Sequence, residues 1–129
     1  MNPSQKRKIA LIEDDINIKE MYKMKLELSG YDVITAEDGK EAVKLIKKAK
    51  PDLVLLDILL PKKDGFEVLK EIKDSKDEKV KSVPVIMLSN LSSKEDIDEA
   101  KKFGASDYFI KAEISPREMA EKIGDFFKT

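Results

Sequence analysis

The sequence predicts an α/β fold in which a five-stranded parallel sheet is doubly wound, (βα)5. Two observations carry that prediction. Short apolar runs alternate with helix-length amphipathic segments along the whole chain. Four of those runs are almost wholly apolar, the pattern of parallel strands covered on both faces. At 129 residues the chain is long enough to bury a core without staples. It reads as one domain, 1–129 with its core over 8–127, and no output domain is expected after the last helix.

The first strand, Ile9-Ala10-Leu11-Ile12, stops at Glu13-Asp14-Asp15, where Asp15 is placed to cap the first helix. Ile18, Met21, Tyr22 and Leu28 fit one face of that helix, and Gly30 stands where its C-cap belongs. Tyr31-Asp32-Val33-Ile34-Thr35 alternates as an edge strand does. In Asp38-Gly39-Lys40-Glu41 the aspartate is spaced to accept the third helical N–H and the glutamate to reach back. The helix it opens turns Ala42, Leu45, Ile46 and Ala49 inward and stops at Pro51.

The third strand, Leu53-Val54-Leu55-Leu56, runs into Asp57. Asp64-Gly65-Phe66-Glu67 repeats the cap and opens a helix buried along Phe66, Leu69 and Ile72. Residues 74–82 hold only charged and small side chains apart from Val80 and read as a long solvated loop. Val85-Ile86-Met87-Leu88 is the fourth strand, ending in Ser89-Asn90. Ser92-Ser93-Lys94-Glu95 caps the fourth helix, which Gly104 ends. Tyr108-Phe109-Ile110, the fifth strand, runs into Lys111. Ser115-Pro116-Arg117-Glu118 opens the fifth helix with proline at its favoured first position, and Met119, Ile123, Phe126 and Phe127 form its inner face.

Composition narrows the function. Charged residues make up 40% of the chain but balance to a net −1, which gives no electrostatic footprint for nucleic acid or an anionic membrane. With no cysteine, disulfides, thiolate zinc sites and thiol redox chemistry are excluded. With no histidine, a histidine base, a histidine metal ligand and a phosphohistidine within this chain are excluded too. The basic stretch Met1-Asn2-Pro3-Ser4-Gln5-Lys6-Arg7-Lys8 leads into no apolar signal region, and no run approaches membrane-spanning length. A cytoplasmic protein is expected.

In a parallel sheet all strand carboxyl ends share one edge, and ligands bind there. Glu13, Asp14, Asp57, Ser89 and Lys111 would therefore meet in one crevice. Glu13, Asp14 and Asp57 offer the hard oxygens that magnesium prefers, and like charges so packed need a cation. A carboxylate at Asp57 can attack phosphorus, provided its charge and that of the incoming group are neutralised, and Lys111 supplies a point cation for this. Ser89 can donate to a phosphoryl oxygen. Singly, Lys111 would be a surface lysine and Ser89 a turn residue; together at four strand ends they read as a phosphoryl site. Tyr108, three residues before Lys111, fits either the core or a switch. No glycine-rich phosphate loop is present.

This constellation resembles the receiver domain of bacterial response regulators over 8–127. The matching stretches are Ile12-Glu13-Asp14, Leu55-Leu56-Asp57-Ile58-Leu59-Leu60-Pro61 with Asp64-Gly65, Met87-Leu88-Ser89 and Tyr108-Phe109-Ile110-Lys111. The resemblance implies the flavodoxin-like strand order 2-1-3-4-5. It implies that Asp57 accepts a phosphoryl group from a sensor histidine kinase or phosphotransfer protein. Glu13, Asp14, Asp57 and the Leu59 main-chain carbonyl would hold Mg2+, while Ser89 and Lys111 contact the phosphoryl group. Tyr108 would turn inward as Ser89 shifts, changing the face made by the fourth helix, fifth strand and fifth helix. A stand-alone regulator is expected, a monomer or phosphorylation-dependent homodimer, acting on a downstream protein and catalysing only its own phosphorylation and dephosphorylation.

Several positions depart from the family pattern. Ala112 follows Lys111 where a proline in a cis bond is usual; without proline a cis bond costs about 2.5–4 kcal/mol, so trans and a rearranged loop are expected. Asn90 stands where a smaller residue is common and would narrow access. Leu59 and Leu91 are apolar where polar side chains often stand, which suggests a long-lived phosphorylated state. An aspartate-nucleophile phosphatase is disfavoured, since Leu59 occupies the place of its second acid. An unphosphorylated interaction module is disfavoured as well, having no physical need for clustered carboxylates.

Overall fold

In the computed structural model, which describes residues 6–128, the apolar runs become β1 (Lys8–Ile12), β2 (Asp32–Ala36), β3 (Leu53–Leu56), β4 (Val85–Ser89) and β5 (Asp107–Ile110). Every neighbouring pair is parallel and the order across the sheet is β2-β1-β3-β4-β5, as the resemblance implied. Among the described residues the helices are α1 (Ile16–Leu28), α2 (Gly39–Ala49), α3 (Gly65–Lys73), α4 (Glu78–Lys81), α5 (Lys94–Lys102) and α6 (Pro116–Lys128). A single 3-10 turn, Lys111–Glu113, joins β5 to α6. The fourth and fifth predicted helices are thus α5 and α6. Residues 1–5 of the basic stretch, and Thr129, lie outside the described residues.

Alternation along the inner strands splits the core in two. Ala10, Ile12, Val54, Leu56, Val85 and Met87 face α2, α3, α4 and α5. Ile9, Leu11, Leu53, Leu55, Ile86 and Leu88 face Tyr22 and Leu26 of α1 and Met119 and Ile123 of α6. Both faces of β1, β3 and β4 are therefore dry, which is why these strands contain almost no polar residue. Each fully buried leucine or isoleucine contributes about 1.5–3 kcal/mol relative to exposure.

The caps lie where the sequence placed them at Asp15, Asp38, Asp64 and Ser115, whose side chains accept the N–H groups of Ile18, Glu41, Glu67 and Glu118. At Ser115 the box is reciprocal, Glu118 Oε1 taking the Ser115 N–H. The cap of α5 is Ser93 paired with Asp96, one residue later than the predicted box.

Three expectations are corrected. Residues 74–82 are not a loop, because they contain α4. Asp77 caps it, Lys50 pairs with Asp77 at 2.7 Å, and Lys73 donates to the Lys81 and Val83 carbonyls at 3.3 and 2.7 Å. Val80 anchors it, 1% exposed. On α1, Met21 and Leu28 face outward, 46% and 79% exposed, whereas Leu26 is buried one turn after Tyr22. Apolar residues surround this helix, so spacing alone fits more than one stripe. Finally, β5 is the second edge strand and buries only Phe109, despite its apolar sequence. No peptide bond among the described residues is cis, Lys111–Ala112 included.

Candidate functional site

The predicted residues converge at the carboxyl edge. β1 and β3 lie side by side, and the ladder continues one step beyond each strand. The Glu13 N–H donates to the Ala36 carbonyl at 3.0 Å, and the Asp57 N–H to the Ile12 carbonyl at 3.1 Å. Main-chain bonds thus fix both acids before any ligand arrives. Glu13 and Asp57 are buried while Asp14 is exposed, and carboxylate oxygens of all three lie within 4.8 Å of one another. Glu13 Oε2 accepts the Asp15 N–H at 3.1 Å, and Asp57 Oδ1 the Ile58 N–H at 2.7 Å.

Asp57 is also gripped from behind. The Gly65 N–H donates to the Ile58 carbonyl at 2.8 Å, and a Cβ at Gly65 would lie 2.2 Å from the Asp57 carbonyl oxygen. A Cβ at Gly39 would lie 1.7 Å from the Lys63 carbonyl oxygen. Both glycines stand at the first position of their helices, and in sequence each looked like part of a cap. Their second role, letting the β3–α3 connection pack tightly against its neighbours, is set by tertiary approach and leaves no local signal.

Lys111 reaches in from the end of β5. Its Nζ lies 2.8 Å from Asp57 Oδ2 and also pairs with Glu13 Oε1, its side chain only 10% exposed. Burial raises the pKa of Glu13, and the Asp57 charge adds to this, against the pull of Lys111 and the Asp15 N–H. Burial alone would depress the Lys111 ammonium, but its pairs with Asp57 and Glu13 outweigh that and hold its pKa above the usual value. Three carboxylates against one ammonium leave two negative charges when all are ionised. That donor set, all oxygen and two charges in excess, fits a hard divalent cation such as Mg2+.

Ser89, buried at the end of β4, accepts the Leu91 N–H on Oγ at 3.2 Å. Tyr108 is half-buried against the α2–α5 side of the core and donates its hydroxyl to the Leu91 carbonyl, within reach of the Ser89 hydroxyl. Burial raises the pKa of that phenol. Ser89 and Tyr108 thus hold the same residue from two sides. The leucines differ: Leu59 is 63% exposed, and Leu91 packs on the core. One contact was not foreseen. Asn90 Oδ1 accepts the Ala112 N–H at 2.8 Å, tying together the residues that follow Ser89 and Lys111. The missing proline was its one signal in the sequence, since it leaves an N–H free to donate.

Fold and site together define a receiver domain of two-component signalling. Residues 9–124 match the response regulator receiver domain, and the chain belongs to that family. It is 40% identical over 119 residues to a probable transcriptional regulator ycf27 of Porphyridium aerugineum, covering 92% of this chain and 47% of that protein. It is 40% identical over 117 residues to the alkaline phosphatase synthesis transcriptional regulatory protein PhoP of Bacillus subtilis, covering 91% and 47%. The chain therefore spans about half the length of these curated relatives. Among solved structures it resembles the chemotaxis response regulator CheY4 of Vibrio cholerae, with a TM-score of 0.85 and 30% identity over 94% of this chain and 98% of that one. The receiver domain of the Francisella response regulator 1452 gives 0.84 and 34% over 95% and 97%. No helix among the described residues is long and apolar enough to cross a membrane.

Proposed function

We propose that this receiver accepts a phosphoryl group on Asp57 from a phosphohistidine of a sensor histidine kinase or phosphotransfer protein. The observation that carries the reading is the buried Asp57 carboxylate held 2.8 Å from the Lys111 ammonium, with Glu13 and Asp14 oxygens beside it. A carboxylate oxygen of Asp57 forms the new O–P bond as the donor's N–P bond breaks, and the leaving imidazole nitrogen keeps the electron pair. Glu13, Asp14, Asp57 and the Leu59 main-chain carbonyl would hold Mg2+, which when bound would neutralise charge on Asp57 and on the incoming group. Lys111 exchanges part of its contact with Asp57 for a phosphoryl oxygen, and Ser89 donates its hydroxyl to another.

When Ser89 turns to the phosphoryl group, its bond from Leu91 is given up, and the Tyr108 hydroxyl bound to the Leu91 carbonyl feels the change. The face of α5, β5 and α6 then alters its affinity for a downstream protein or a second copy of the chain. A local charge biases a two-state element. The site and the core that positions it lie within 8–127, so the unit performs the transfer without further segments. It is a phosphoacceptor, and the only chemistry it assists is on its own Asp57.

The test is intact mass after incubation with acetyl phosphate and Mg2+. One labile phosphoryl adduct is expected, absent in Asp57→Asn and with a chelator present. An unchanged yield in either case overturns the reading.

A further inference from the structure

β4 and β5 are last paired at Ser89 and Ile110, and both chains then turn away. β5 passes directly into the 3-10 turn, and Ile110 before it offers no side-chain cap. The first N–H groups of a helical turn have no partner within it. Here one of them is met from β4, by the 2.8 Å bond from the Ala112 N–H to Asn90 Oδ1. The asparagine side chain carries the β4–β5 connection past its backbone end, onto the residue after Lys111.

That position is consequential because Lys111 starts from an edge strand and must reach Asp57 through four flexible methylenes. Ordering such a side chain costs entropy, and a drifting main chain adds to the cost. We infer that Asn90 is a positioning residue for Lys111, fixing through the Ala112 N–H the main chain from which the ammonium reaches Asp57. The inference rests on the proposed role of Lys111 toward the phosphoryl group. An amide suits the task, since it accepts the bond without adding a fourth carboxylate to a site already rich in negative charge. Ala112 suits it equally, since proline would have no N–H to give. The two departures from the family pattern are thus one interaction.

The test compares Asn90→Ala, Lys111→Ala and the double variant with the unsubstituted protein. In NMR of the unphosphorylated state, Asn90→Ala is expected to speed exchange of the Ala112 amide and to raise the mobility of the Lys111 methylenes. The rate of phosphorylation by acetyl phosphate with Mg2+ should fall about three- to tenfold, the span one ordinary hydrogen bond permits. In the Lys111→Ala background the same substitution should change the rate no further. Unaltered Lys111 mobility in Asn90→Ala, or an equal rate loss with and without Lys111, overturns the inference. If the unsubstituted protein takes up no phosphoryl group, the phosphoacceptor reading fails, while Lys111 mobility still decides the role of Asn90.

Discussion

On the β1–β3 side of the sheet edge, Glu13 and Asp57 are set by main-chain bonds that extend the ladder, with Gly65 packed against the Asp57 carbonyl. On the β4–β5 side the ladder stops at Ser89 and Ile110, and what continues past it is side-chain bonds: Ser89 Oγ to the Leu91 N–H, Asn90 Oδ1 to the Ala112 N–H, the Tyr108 hydroxyl to the Leu91 carbonyl. The two sides suit different tasks. Ladder bonds form cooperatively within a packed sheet, so acids placed by them stand in position before any ligand arrives. Single side-chain bonds contribute about 0.5–1.5 kcal/mol each and can be exchanged one for another when a new charge arrives. A fixed half meets an adjustable half across one crevice.

The largest effect should come from disturbing the fixed half. Gly65→Ala places a methyl group 2.2 Å from the Asp57 carbonyl oxygen and 2.7 Å from the Ile58 Cα, both backbone atoms that cannot swing aside. Urea denaturation should show a loss of about 1–3 kcal/mol, together with slower phosphoryl uptake. Unchanged stability would mean that the β3–α3 connection is pliable and the contrast between the halves is wrong.

Charge in the fixed half gives the next test. The raised pKa of Glu13 means that the native state keeps this proton longer than the unfolded chain does. Ionising it therefore costs stability as pH rises from the ordinary carboxyl value through the raised one. In the absence of divalent metal, Glu13→Gln should melt above the unsubstituted protein at pH 7. The gap should shrink as pH falls toward 4, and adding Mg2+ should narrow it from the other side by stabilising the unsubstituted protein more than the variant. A Glu13→Gln variant that melts lower at pH 7 would show the buried acid to be stabilising already.

The smallest effect concerns water at the rim. Leu59 is exposed two residues after Asp57, whereas Leu91 is engaged with the core. Leu59→Asn should hasten loss of the phosphoryl group severalfold after the donor is removed, and adding Leu91→Glu should contribute less. Equal lifetimes in the unsubstituted and double-substituted proteins would show that neither leucine governs access of water.

Much of this was legible in the sequence. Buried strands announce themselves as apolar runs, and the residues that stop them, Glu13, Asp57 and Lys111, are the ones brought together. Caps at Asp38, Asp64 and Ser115 were equally visible, because a capping box is local. What escaped depends on distant partners. α4 is too short to show a period, and it is held by Lys50 and Lys73 from outside it. The buried stripe of α1 was ambiguous because apolar side chains occupy several faces, and the sheet selects Tyr22 and Leu26. The Asn90–Ala112 bond required knowing that two loops, twenty-two residues apart in sequence, lie side by side.

The proposed phosphoacceptor role of Asp57 is tested most directly by which carboxylate carries the phosphoryl group. Acyl phosphates are reduced by borohydride to the corresponding alcohol, so the protein treated with acetyl phosphate and Mg2+, then with borohydride, carries a record of the modified carboxylate. Peptide mass analysis should find homoserine at position 57, with Asp14, Asp15 and Asp64 unaltered. Homoserine at another aspartate, or none at position 57 in protein whose intact mass shows the adduct, would contradict it.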